Sequence, residues 1–135
     1  MSTNDHRAEH LANLDFAQQW LDDLSSDPVR LRQTTFSICN KLSANWQRFV
    51  HAQAEEDCVA TDALKNCRRG QIERVYRADG VASPFATVEC DTRFLDALTD
   101  QRNSIAHGDE PTGVTEPQLR EWITALRRLN EQYGR

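Results

Sequence analysis

Apolar positions along the chain recur at helical spacing. Leu11, Leu14, Ala17, Leu21 and Leu24 fall three or four residues apart, which predicts an amphipathic helix over about residues 6–24. Ser25-Ser26-Asp27-Pro28 stops it and starts another, with Asp27 as N-cap and Pro28 at the first helical position, where its missing N–H costs nothing. Phe36, Cys39, Leu42, Trp46, Phe49 and Val50 then mark the apolar face of a long second helix that ends between Glu56 and Asn66. Over residues 67–90 the period is lost, interrupted by Gly70, Gly80 and Pro84, and Thr87-Val88 is too short for a strand. This stretch reads as an irregular excursion with about one helical turn around Ile72–Tyr76. Asp91 or Thr92 caps the next helix, which turns Phe94, Leu95, Leu98, Ile105 and Ala106 inward and stops at Gly108. Thr115-Glu116-Pro117-Gln118 is a capping box, and the last helix faces the core with Leu119, Trp122, Ile123, Leu126, Leu129 and Tyr133. The expected fold is all-α: an antiparallel helical bundle of four main helices with an irregular excursion at about 67–90.

Composition narrows the class. The 135 residues suit one domain, expected to span 1–135, and 39% hydrophobic with 27% charged residues excludes wholesale disorder. No apolar run approaches the roughly 20 residues of a membrane span, and the first residues lack a signal peptide's apolar stretch, so a cytoplasmic protein without membrane attachment is expected. Cys39, Cys58, Cys67 and Cys90 form no C-x-x-C pair and no zinc-ligand spacing with histidine. They read as reduced, structural thiols, and neither a metal nor another cofactor is expected.

A formal charge of −5 argues against a broadly basic nucleic-acid surface, but the charge is unevenly placed. Residues 1–27 hold Arg7 against six acids, while the rest of the chain balances. Between Lys65 and Arg77, Lys65, Arg68, Arg69, Arg74 and Arg77 face only Glu73. Arg68, Arg69, Arg74 and Arg77 are candidate contacts for RNA phosphates; a solvated loop or a site for an acidic partner protein explains the run as well. Any RNA binding is therefore expected to be weak, salt-sensitive and confined to a small groove.

The chemically informative string is Gln101-Arg102-Asn103-Ser104-Ile105-Ala106-His107-Gly108. On a regular helix Arg102 and His107 stand about 140° apart. A last turn that loosens before Gly108 lets them line one cleft. His107 can move a proton to or from a ribose hydroxyl, and Arg102 can neutralise the charge that builds on a phosphorane-like transition state. Acid–base cleavage of RNA works best with two proton-transfer groups, and a two-fold axis beside this helix would bring two copies of each residue into one groove. His6 and His10 are expected on the polar face of the first helix, and His51 reads as a solvated or interfacial residue. A helical interaction protein, with Arg102 and His107 as ordinary surface groups, is the competing reading.

Arg102-Asn103-Ser104-Ile105-Ala106-His107-Gly108 resembles the signature of HEPN-domain ribonucleases, and its Ile-Ala-His-Gly ending looks most like their RiboL-PSP and MAE-like branches. The segment Val29 to Val50 is similar to the long helix of those branches, and the likeness spans about residues 28–133. The resemblance implies an all-helical, usually dimeric, metal-independent endoribonuclease of a toxin–antitoxin or antiphage system. Arg102 and His107 would be catalytic, with Asn103 helping to orient them. It further implies an RNA substrate and an antitoxin or defence-complex partner. The alternative within the family is a catalytically silent module that binds RNA or nucleotide, or scaffolds a complex. HEPN toxins silenced by nucleotidylation carry a Tyr two residues after the His. Asp109 stands there in this chain, so the resemblance does not extend to that form of control.

Overall fold

The computed structural model describes residues 3–106, 108 and 114–135. Among them are five helices and no strand: α1 (Thr3–Leu24), α2 (Pro28–Glu56), α3 (Arg69–Ala78), α4 (Phe94–Ala106) and α5 (Glu116–Gln132). The central element is α2, against which α1, α4 and α5 all pack; α5 also touches α1 and α4. None of the described helices is long and apolar enough to cross a membrane.

The helix ends follow local chemistry. The Asp27 carboxylate accepts from the Arg30 N–H at 3.1 Å, with Pro28 in the first turn of α2. The Thr115 hydroxyl accepts from the Gln118 N–H to open α5. At the other end of α2, Val59 N–H reaches the Ala54 carbonyl and Cys58 N–H the Glu55 carbonyl, the paired bonds of a Schellman turn. The residue at its left-handed position is Cys58, with φ +60°, whereas Gly80 fills the same place at the end of α3. A side chain is strained there. Cys58 is also exposed, so little packing would be lost on replacement. Cys58→Gly is expected to raise stability by about 0.5–1 kcal/mol, measured as a shift in urea midpoint.

The core joins every helix. Leu14, Ala17 and Leu21 of α1 meet Ile38, Cys39, Leu42, Trp46, Phe49 and Val50 of α2, with Leu95 and Leu98 of α4 and the whole predicted inner face of α5. Trp46, Phe49, Phe85 and Tyr133 form an aromatic cluster, with Tyr133 edge-on to both Trp46 and Phe85. The Trp46 indole N–H donates to the Cys67 carbonyl at 3.1 Å, so its polar edge is satisfied inside the core.

Three sequence expectations change. The excursion contains a ten-residue helix, α3, rather than a single turn. Ile72 and Tyr76, one turn apart, bury its inner face, and Gly70 sits in its first turn, where it interrupts nothing. Phe36 is 37% exposed, because it lies roughly a third of a turn from Leu42 at the centre of the buried stripe. His10 and Arg7 are buried and do not belong to a polar face. Arg7, His10, Leu14, Ala17, Leu21 and Leu24 repeat at alternating steps of three and four, so the inner stripe of α1 runs on through two polar residues.

Each of those two residues has a built environment. The Arg7 guanidinium donates to the carbonyls of Asn130 and Tyr133 at the end of α5 and lies over the Phe49 ring. His10 stacks on Phe49 with ring centroids 4.9 Å apart. Burial, then the neighbouring Arg7 charge, pulls the His10 imidazole from its ordinary value near 6.5 down to about 4. The unfolded chain therefore takes up this proton before the folded one does. Stability is fully present above about pH 6.5 and is lost as pH falls toward about 4, by about 3 kcal/mol if His10 acts alone. Urea midpoints across that range should fall less steeply for His10→Gln than for the wild type.

The acids of α1 are largely answered by neighbouring bases. Asp15 pairs with Arg127 at 2.6 Å, Asp22 with Arg120 at 2.7 Å and Glu9 with Arg48 at 3.2 Å. Three of the six acids of residues 1–27 thus lie along the seams of α1 with α5 and α2. Each pair is solvent-exposed enough to contribute under about 1 kcal/mol.

Candidate functional site

The string singled out in the sequence occupies the last turns of α4. This helix is held by Leu95 and Leu98, both buried, and the Thr99 hydroxyl donates to the Asn66 carbonyl at 3.4 Å. Two of its acids, Asp96 and Asp100, are engaged by Arg68, the residue at the start of α3. The hydrogen bond that Arg68 donates to Asp100 is the main reason its guanidinium is held above its ordinary value. Asp96 and Asp100 thus lie against α3, on a different side of α4 from Arg102.

Arg102 and Asn103 are both half-buried. Arg102 Nη1 donates to Asn103 Oδ1 at 3.5 Å, a long bond. Among the described residues Arg102 forms no ion pair. Its charge is felt at Cys67, where it opposes the dominant effect of burial; burial wins and pushes that thiol up to about 12. Cys39 is pushed up to about 11 by burial alone. Both thiols stay protonated near neutral pH and serve as packing groups, as their sequence setting suggested.

His107, with Asp109, lies outside the described residues. At Gly108, φ is +83° and the N–H donates to the Ile105 carbonyl at 3.0 Å, a tighter closure than the four-residue helical repeat. Gln101 Oε1, in the first position of the string, is buried without a hydrogen-bond partner among the described residues.

The four arginines of the basic run divide into two pairs. Arg68 bridges to α4, and Arg69 bonds Glu73 at 3.0 Å and Thr92 at 2.9 Å while lying over the Phe85 ring. These two dock α3 onto the body. Arg74 and Arg77 are exposed and, among the described residues, carry no ion pair. The geometry thus separates structural from available cations within a run that the sequence presents as uniform.

Of the remaining histidines, His6 shares a hydrogen bond with Gln53 at 2.9 Å and His51 one with the Leu64 carbonyl at 2.7 Å. His51 is therefore a half-buried anchor for the loop after α2. Among the described residues no group of three or more His, Cys, Asp or Glu side chains could hold a metal ion.

The polar residues missed by the sequence reading lie between α1 and α2, where His10 and Asn45 line a cavity together with acids of both helices. The continued stripe of α1 was the available signal for His10. No protein-family model, curated protein or solved structure matches this chain.

Proposed function

We propose that the chain is a HEPN-type, metal-independent endoribonuclease that cleaves RNA by attack of the 2′-hydroxyl on the adjacent phosphate. The observation that carries this reading is the Arg102-Asn103-Ser104-Ile105-Ala106-His107-Gly108 string at the end of α4. In this reading Arg102 stabilises the equatorial phosphate oxygens, His107 transfers the proton, and Asn103 orients the pair. The lack of an ion pair to Arg102 among the described residues supports it, since its charge is left for a substrate phosphate.

The finer architecture belongs to the same proposal. The helices α1, α2, α4 and α5 form an antiparallel four-helix bundle, and 1–135 is a single HEPN-like domain. Two copies pair beside α4 to make a composite groove with two histidines. Arg74 and Arg77 supply phosphate contacts at its margin, while Arg68 and Arg69 shape the surface that carries them. A cytoplasmic toxin or antiphage effector, restrained by an antitoxin or a defence-complex partner, is the biological role that fits such chemistry.

Incubating the purified protein with RNA in EDTA tests the proposal. Cleavage leaving a 2′,3′-cyclic phosphate, and its loss in Arg102→Ala and His107→Ala, is the expected result. RNA binding without cleavage would assign the chain to a silent binding module, and neither binding nor cleavage would sink the nucleic-acid reading altogether.

A further inference from the structure

Among the described residues the most exposed large apolar side chain is Phe16, at 58%. It stands on α1 beside Trp20, one turn further on and half-buried, with ring centroids 6.4 Å apart. The two rings, with Gln19 and Asp23, line a shallow cavity of about 190 Å³, and all four residues belong to α1. That volume is below the roughly 300–1,000 Å³ of small-molecule pockets and suits a recess for a single side chain.

The charges around the rings have a definite order. Lys41 of α2 places its Nζ 4.9 Å from the centre of the Phe16 ring and so marks the Phe16 end of the patch. Asp23 lies seven residues beyond Phe16, on the same side of α1 and about 10 Å along its axis, and marks the other end. Neither forms an ion pair among the described residues, and Asp23 accepts from Gln19 Nε2 at 2.9 Å. The neighbouring charges are offset within the chain, Glu9 by Arg48 and Asp22 by Arg120. At the hairpin Asp27 and Arg30 stand three residues apart, with the Asp27 carboxylate on the Arg30 N–H. The patch is thus a pair of aromatic rings between one cation and one carboxylate.

Such a pattern fits a rotated copy of itself. A two-fold axis crossing α1 between Gln19 and Trp20 exchanges the level of Phe16 with that of Asp23. We propose that two copies of the chain pair through this patch, α1 antiparallel to α1, with the rings of one filling the recess of the other and Lys41 of each meeting Asp23 of the other. One symmetric contact covers all four rings and answers all four charges. An acidic partner of another kind would answer Lys41 but set its charge against Asp23, and a basic one the reverse. The contact is separate from the ribonuclease reading, because α4 contributes no residue to the patch. It falls below the roughly 1,200 Å² of stable complexes, so a dissociation constant on the order of 10–100 μM is expected.

Sedimentation equilibrium of the full chain tests the contact. The mass of the wild type should rise with concentration across that range, and Phe16→Ser, a change at an exposed position, should lose the rise. Any pairing beside α4 is common to both, so their difference reads the α1 contact alone. Lys41→Glu and Asp23→Lys each set like charges together twice in a symmetric pair and should weaken self-association roughly tenfold. Mixed in equal amounts, these two variants should associate with wild-type strength, since one chain then carries only acids at the two sites and the other only bases. A wild-type mass that does not rise, an equal rise in Phe16→Ser, undiminished self-association of either charge variant, or no gain on mixing them would overturn the proposal.

Discussion

Replacing Arg102 with alanine is expected to lower RNA cleavage by roughly 10²- to 10³-fold, the usual effect of removing one charge-stabilising donor from a transition state. The fold should survive the change. Arg102 is half-buried, forms no ion pair among the described residues, and makes one long hydrogen bond to its sequence neighbour. The urea midpoint of Arg102→Ala should therefore lie close to that of the wild type, separating lost chemistry from lost structure. His107→Ala should cost roughly 10²- to 10⁴-fold through proton transfer. If the two side chains act as one unit, the double variant will be little worse than the poorer single variant. Full activity in either single variant would remove the catalytic assignment.

The second large effect concerns stability. Arg7→Ala should destabilise the protein by about 2–4 kcal/mol, because two carbonyls at the end of α5 lose their charged donor and Phe49 loses the cation above its ring. Arg7→Met keeps much of the side-chain volume and removes the hydrogen bonds. It should recover the packing part of the loss and leave the remainder. Urea unfolding followed by Trp fluorescence measures both, with an unchanged slope showing that the unfolded state is the same. Equal stability of Arg7→Ala and the wild type would mean that water serves those carbonyls as well as Arg7 does. The same seam explains why α1 cannot be treated as a dispensable acidic arm. Its inner face continues the core through Leu14, Ala17 and Leu21, and its outer acids Asp15 and Asp22 meet Arg127 and Arg120 on α5.

Much of this was legible one residue at a time. The N-cap at Asp27, the turn at Gly108 and the inner face of α5 follow from local rules that tertiary packing did not override. The excursion was less legible because α3 is short, begins with a glycine in its first turn, and keeps only Ile72 and Tyr76 as fully buried signals. His10 was misplaced, and the burial of Arg7 went unread, for a different reason. Residue type suggested the polar face, whereas their stripe position put them inside, and only partners distant in sequence, Asn130 and Tyr133, make that burial tolerable. The candidate site divides in the same way. The Arg102–His107 string is visible in sequence because its chemistry depends on residue types at a fixed spacing. Which arginines of the basic run are tied down is not visible in this way, since Arg68 meets Asp96 and Asp100 across about 30 positions of chain.

By itself the sequence determined the helical class, the principal helix ends and the chemical character of the α4 terminus, since each is set by side-chain periodicity and caps within a few residues. Tertiary structure alone decided which of the basic residues are structural, where the acids of α1 find their partners, and which distant groups satisfy the two polar side chains on its inner stripe. Those outcomes depend on Coulomb and hydrogen-bond pairing between segments far apart in the chain. Such pairing leaves no period in the sequence, because it requires only that the two groups meet once the helices have packed.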